Sequence, residues 1–349
     1  MTDLYGFFFC FLCFFVDSKF FLRVLCGLIP RMTLPLVIVN PASADGATRE
    51  NWPKIASDLR THFGAFTVTL TEAVGHAREL AAVAAKQGTK LIIACGGDGT
   101  ISEVANGIIE SSSEAELAIL PGGTGSDFRR TIGLPTNIAA AARALRDGRT
   151  RMIDVGRVAF VNDADERETR FFVNVASFGM STAVLDRAAS GSAKKWIPAF
   201  TPRKITSKLS YATATVQTTL QSSPTEIIVQ LDDREERRMR IAELAVANAK
   251  YYGGAMKIAP DAKIDDGLFD VVTIGDASAF RILSNAPRLY LGAHLRMSEV
   301  THALARQVVA RPVRKDEEIR VELDGEVVGR LPATFEVVPR ALRLRCPRG

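Results

Sequence analysis

From residue 34 the chain alternates short unbroken apolar runs with stretches that carry apolar side chains every three or four positions. LPLVIVN (34–40) ends at Asn40-Pro41 and reads as a buried strand, and Trp52, Ile55 and Leu59 then recur at helical spacing. FTVTL (66–70), LIIAC (91–95) and ELAIL (116–120) read as further strands. Leu80, Ala81 and Ala84, then Ile101, Val104, Ala105 and Ile108, mark the helices between them. Continuous apolar strands alternating with amphipathic helices predict a parallel sheet covered on both faces. The expected fold class is therefore α/β, doubly wound, with its ligand outside the carboxyl ends of the strands.

After about residue 154 the pattern changes. Residues 170–177, 226–232, 240–248, 268–275 and 318–325 read as strands, with helical patterns only at roughly 181–189, 206–220 and 277–292. This predicts a second, mainly antiparallel β domain. The first 32 residues stand apart: FFFCFLCFFV (7–16) is intensely apolar but only ten residues long, against about 20 for a membrane-spanning helix. Two readings apply, an extension encoded upstream of a start at Met32 and an interfacial membrane anchor.

Composition narrows the function classes only modestly. The 349 residues are 47% hydrophobic and 24% charged, as in packed globular proteins. A net charge of +5 and a pI near 9.0 suit an anionic partner such as a nucleotide, a phosphorylated product or an acidic membrane surface. Five cysteines without a disulfide framework suggest a reducing, cytoplasmic setting. Four histidines without ligand-like spacing give no zinc site, and no recognition fold points to nucleic acid.

The chemistry concentrates in two glycine loops on one predicted sheet edge. Gly96-Gly97-Asp98-Gly99-Thr100 lies between a strand and a helix. There, glycine permits positive φ and close backbone approach, and a helix N-terminus favours phosphate. It lacks the spacing of both the Walker and the dinucleotide-binding motifs. A carboxylate repels phosphate unless a cation lies between, so Asp98 points to a divalent metal or a proton acceptor; a tight turn with a helix-capping aspartate is the bland alternative. PGGTGSDF (121–128) is a second such loop. Two on one edge favour a nucleotide cleft over coincident turns.

These motifs, with Tyr252-Gly253-Gly254, the IAPDAKIDDG segment (258–267) and Asp324-Gly325-Glu326, resemble the diacylglycerol kinase catalytic superfamily, in particular its bacterial soluble lipid kinase branch. The resemblance runs from about residue 34 to the C-terminus. It implies a Rossmann-like ATP-binding domain over 33–154, to which a segment at about 338–349 returns, and a β-sandwich lipid-substrate domain over 155–337. Residues 1–32 fall outside both. It also implies ATP contacts at Asn40, Thr71, Gly96, Gly97, Asp98, Gly99, Thr100, Glu103, Gly123 and Thr124, with Gly75 and Ala77 matching the segment after Thr71. A Mg²⁺ would sit on the Asp266 carboxylate and the carbonyls of Lys263 and Leu268, all hard oxygen donors. Glu326 would be the general base, with Asp98 on the nucleotide's metal; the reverse assignment of the base to Asp98 stays open. Departures from the family pattern are Gly122 for leucine, Ser126 and Ser102 for asparagine, and His76 for aspartate.

The implied activity is transfer of the γ-phosphoryl group of ATP to a lipid hydroxyl, with diacylglycerol as first choice, at a cytoplasmic membrane surface. The kinase is compatible with a homodimer, and an NAD kinase and a catalytically inactive lipid- or nucleotide-binding regulator are the competing readings. Lys194, Lys195, Arg203, Lys204 and Lys208 interleave with Trp196, Ile197 and Phe200, a stretch suited to an anionic bilayer surface or to a solvated loop. Without the resemblance, Asp265-Asp266-Gly267 and Asp324-Gly325 would read as type I′ hairpin turns.

Overall fold

The computed structural model describes residues 34–122, 126–180, 182, 224–314 and 316–348. Elements are numbered in chain order among these residues. Strands β1 (Leu36–Val39), β2 (Thr67–Leu70), β3 (Leu91–Gly96) and β4 (Glu116–Pro121) form a parallel sheet in the order β2-β1-β3-β4. Between them run α1 (Ala47–His62), α2 (His76–Lys86) and α3 (Asp98–Glu110); α4 (Asp127–Thr131) and α5 (Ile138–Arg146) follow. Helix α2 packs on α3 and α1 on α5. Val37, Ile38, Ile92, Ile93, Leu117 and Ile119 are fully buried, as unbroken apolar strands require when both faces are covered. The chain winds one way from β1 to β2 and the other from β3 to β4, so the strand order reverses between β1 and β3. The crevice beyond their carboxyl ends is the expected ligand position.

The rest is antiparallel. Strands β5 (Arg149–Val161), β6 (Arg167–Phe172), β7 (Val175–Gly179), β8 (Thr225–Leu231), β9 (Arg237–Ile241), β10 (Glu243–Ala247), β11 (Phe269–Ile274), β12 (Val300–Ala305), β13 (Gln307–Pro312), β14 (Arg320–Leu323) and β15 (Glu326–Cys346) build it, with α6 (Ala279–Leu291) before β12. Its apolar centre includes Phe160, Phe172, Phe178, Phe269 and Phe335. The rings of Phe172 and Phe269 stack at 5.5 Å.

β15 joins the two regions. It pairs with β14, β13 and β5, and at Arg343 and Leu344 it runs parallel beside Glu116 and Leu117 of β4. Pro332 and Pro339, which lack an N–H to donate, fall at its two register shifts against β5.

Two expected strands are each broken in two. The run 170–177 divides at Val173 and Asn174, whose backbone N–H groups donate to Asp324 instead of a neighbouring strand. The run 240–248 divides at Ala242, between β9 and β10. The helical patterns at 181–189 and 206–220, the basic-aromatic stretch at 194–208 and the apolar segment 1–32 lie outside the described residues. No helix among the described residues is long and apolar enough to cross a membrane.

Candidate active site

The glycine motif after β3 is shorter and tighter than a loop. β3 continues to Gly96, Gly97 caps the next helix in an extended conformation (φ −90°), and Asp98 already opens α3. Gly96, Gly97 and Gly99 all avoid positive φ. Positive φ is therefore not used here, and close approach, the other property expected of these glycines, accounts for Gly96 and Gly99. A Cβ on Gly96 would lie 2.4 Å from Thr100 Oγ1, one on Gly99 would lie 2.7 Å from Glu326 Oε1, and one on Gly97 would meet nothing within 4 Å. Gly122 presses on this turn from the second loop, where a Cβ would come 2.7 Å from the Gly96 nitrogen. Gly123 and Thr124 lie outside the described residues.

Asp98 accepts hydrogen bonds from the backbone N–H of Asp127 (2.9 Å) and Phe128 (3.1 Å) and from the Ser126 hydroxyl (3.3 Å). It thus caps α4 across the cleft rather than its own helix. Loss of solvent and the nearby carboxylates of Asp127 and Asp324 push its pKa up to about 7, against the backbone donors that lower it. Asp127 in turn accepts from the N–H groups of Gly254 and Ala255, both at 2.8 Å, and pairs with Arg130 at 2.6 Å. A chain of carboxylate-to-backbone bonds therefore runs from the glycine turn through α4 to the Tyr252-Gly253-Gly254 bend.

Glu103 has a similar part. Its two oxygens accept from the N–H groups of Gly75 (3.0 Å) and Ala77 (2.9 Å), which caps α2. The segment from Thr71 to Ala77 is thereby fixed beside the turn. The Asn40 side-chain amide donates to Thr100 Oγ1 at 3.0 Å, and Thr71 donates its N–H to Val39 O at 2.9 Å. Thr48 donates its hydroxyl to Gly122 O, so the start of α1 is pinned to the second glycine loop.

Glu326 arrives from the other side of the molecule. Asp324 and Gly325, both at positive φ (49° and 95°), form the two-residue hairpin between β14 and β15. Asp324 is buried and accepts from the N–H groups of Val173, Asn174 and Val175, while burial raises its pKa to about 6. This anchored turn delivers Glu326 against Gly99. The Glu326 carboxylate makes no hydrogen bond among the described residues, and burial together with Glu103 and Asp324 raises its pKa. The turn reading of Asp324-Gly325 holds, and the same turn places Glu326 beside Gly99.

Two hollows meet at this point. One, of about 890 Å³, is lined by 40–44 after β1, Thr71, Gly97, Gly99, Thr100, Glu103 and Glu326. The other, of about 290 Å³, is polar and lined by Asp98, Gly99, Asp127, Asn174, Glu322 and Asp324, among others. Gly99 borders both.

Lys263, Asp266 and Leu268 line neither hollow. Their turn is held by buried Asp154, which accepts from Gly267 N–H at 2.6 Å and Arg340 N–H at 2.7 Å. Only Gly267 there has positive φ, so this is not a type I′ hairpin. The exposed Asp266 carboxylate accepts from Leu268 N–H and has no cationic partner among the described residues. A carboxylate and the two carbonyls of Lys263 and Leu268 are all oxygen donors, the type that suits a hard cation.

Asp127, Asn174 and Glu322 were missed as site residues in the sequence. Asp127 stands inside the second glycine motif and could have been read from it. Asn174 and Glu322 sit in ordinary strand-like text with no local signal.

Comparison with known proteins gives the family of the chain. Residues 35–158 match the family model "Diacylglycerol kinase catalytic domain", and residues 190–346 match "YegS C-terminal NAD kinase beta sandwich-like domain". A diacylglycerol kinase of Mycobacterium tuberculosis (strain ATCC 25618 / H37Rv) is 32% identical over 317 residues, covering 89% of this chain and 94% of the relative. The chain belongs to the diacylglycerol kinase family. It is thereby a kinase with an alcohol acceptor. A Bacillus subtilis (strain 168) diacylglycerol kinase is 27% identical, with 89% and 96% of the two chains covered. The crystal structure of a Bacillus anthracis str. Sterne diacylglycerol kinase shares the fold, with a TM-score of 0.63 at 22% identity over 91% of this chain and 98% of that one.

Proposed function

We propose that the chain transfers the γ-phosphoryl group of ATP to the hydroxyl of a membrane lipid, with diacylglycerol as the preferred acceptor. The observation that carries this reading is the shared wall. ATP in the larger hollow and a lipid headgroup in the polar one would face each other across Gly99, with Glu326 beside it. Holding two reactants in line supplies much of a phosphoryl-transfer rate.

Glu326 acts as the general base. Its carboxylate is free of hydrogen bonds among the described residues, and its raised pKa improves its basicity toward a lipid hydroxyl. Asp98, held by three donors, is the better fixed anchor. Burial, with the carboxylates of Asp127 and Asp324 nearby, lifts its pKa to about 7, and a cation bound there would offset that cluster of negative charge. Mg²⁺ bound there with ATP would neutralise phosphate charge. Thr100, Asn40 and the backbone of the glycine turn position the nucleotide, and Glu103 holds the Thr71 segment in place. The 33–154 and 155–337 regions divide the nucleotide and lipid duties, and contact with the bilayer is peripheral.

The purified protein, given ATP, Mg²⁺ and either diacylglycerol in mixed micelles or NAD, should phosphorylate the lipid. Phosphorylation of NAD alone would replace this reading with the NAD kinase one, and ATP binding without turnover on any lipid would favour a regulator.

A further inference from the structure

The sequence treats Trp52 as an apolar helix position, yet in the structure it has two environments. Part of the ring packs on the apolar centre of the parallel sheet, and part lines the larger hollow. Arg49 lines the same hollow from one turn earlier on α1. Residues three apart on a helix share a face, about 4.5 Å apart along the axis. Arg49 is therefore nearer the loop 40–46 and the glycine turn, and Trp52 lies farther out.

Three features give these positions a ligand. Arg49 is the one basic side chain among the described residues lining this hollow, and it has no hydrogen-bond or ion-pair partner among them. On the same hollow, Leu70 and Val74 are 50% and 88% exposed, an unusual use of large apolar side chains at the ends of a strand and turn. The volume of about 890 Å³ lies within the range of small-molecule sites. A cation, an aromatic ring and bare aliphatic groups lining one hollow with the glycine turn match the parts of a nucleotide.

Resting on the kinase reading of this hollow, we propose that Trp52 stacks on the purine base, with Leu70 and Val74 covering its other face, while Arg49 pairs with the phosphates. Arg49 and Trp52 would then set nucleotide affinity without taking part in proton transfer. Arginine suits the phosphate end because its planar fork can bond two oxygens. Stacking on Trp52 implies little discrimination between adenine and guanine, since every base has a π face.

The chain has two tryptophans, so Trp196→Phe leaves Trp52 as the single reporter. ATP and adenosine should both quench its fluorescence, and inorganic triphosphate should not. By calorimetry, Trp52→Ala should weaken ATP and adenosine about tenfold or more and leave triphosphate unchanged. Arg49→Gln should weaken ATP and triphosphate about 10- to 100-fold and leave adenosine unchanged. Trp52→Phe, which keeps a smaller ring, should fall between wild type and Trp52→Ala and serves if the alanine protein does not fold. ATP that binds wild type but neither quenches Trp52 nor loses affinity in Arg49→Gln and Trp52→Phe would overturn the assignment while leaving the kinase reading intact. Absence of ATP binding to wild type would instead remove the kinase reading and this assignment with it.

Discussion

Replacing Gly99 with alanine separates stability from chemistry at one atom. Gly99 lies in the first turn of α3 with ordinary helical backbone, so alanine introduces no strain there. In a helix, alanine is favoured over glycine by about 1 kcal/mol, and the fold should be unchanged or slightly stabilised. The new Cβ would sit 2.7 Å from Glu326 Oε1, closer than van der Waals contact allows. That oxygen is the far end of a flexible side chain, so it can swing aside at little cost to folding. It then leaves its place beside Gly99 on the wall of the larger hollow. Displacement of a reacting group by about 1 Å can cost on the order of 100-fold in rate, and general-base catalysis is itself worth about 10²- to 10⁴-fold. Thermal melts and steady-state lipid kinase assays on the same preparation should therefore show an equal or higher Tm with kcat down by about 100-fold. In a Glu326→Gln background, the added Gly99→Ala change should cost little more. Full kcat in the Gly99→Ala protein would refute the placement of Glu326 as base.

Other outcomes follow from neighbouring contacts. Gly97→Ala meets no protein atom within 4 Å and has an accessible conformation, so stability should hold. If nucleotide backs onto this turn, the KM for ATP should rise about tenfold or more, since a methyl group there displaces charge-assisted bonds. Asp98 titrates near pH 7 when no cation is bound. It therefore keeps a proton that the unfolded chain releases near pH 4. Metal-free stability should fall as pH rises between about 4 and 7 and level off above, whereas activity at limiting Mg²⁺ should rise toward pH 7 as the anchor ionises; Asp98→Asn should remove that activity limb. Asp154→Ala would strip the acceptor from two backbone donors, Gly267 N–H and Arg340 N–H. At about 1–3 kcal/mol per unsatisfied group, urea unfolding should show a loss of about 2–6 kcal/mol.

The parallel sheet was legible because three of its four strands are buried on both faces and read as apolar runs at 36–39, 91–96 and 116–121, whereas the exposed edge strand β2 was found by its β-branched residues. The antiparallel strands were harder to read wherever a turn or proline interrupts the pattern. β15 carries Pro332 and Pro339 at its irregularities, which hid the longest strand among the described residues. Strands β6 and β7 merged in the sequence because what parts them is not local. The backbone at 173–175 is claimed by Asp324, some 150 residues away. Glycine spacing located the candidate site but could not say which of its two uses applied: Gly96 and Gly99 serve close approach and none of the three takes positive φ, and close packing leaves no mark in the sequence that distinguishes the two. Asp98 and Glu103 were legible as important acids, whereas their bonds to α4 and α2 depend on tertiary contacts that periodicity cannot carry.

The most direct measurement is mass spectrometry of a total lipid extract incubated with ATP, Mg²⁺ and either wild-type or Glu326→Gln protein. The account predicts a lipid, diacylglycerol foremost, that gains one phosphoryl group with wild type and gains almost none with the variant. A lipid pool left unphosphorylated by a wild-type protein that binds and hydrolyses ATP, or equal phosphorylation by both proteins, would contradict it.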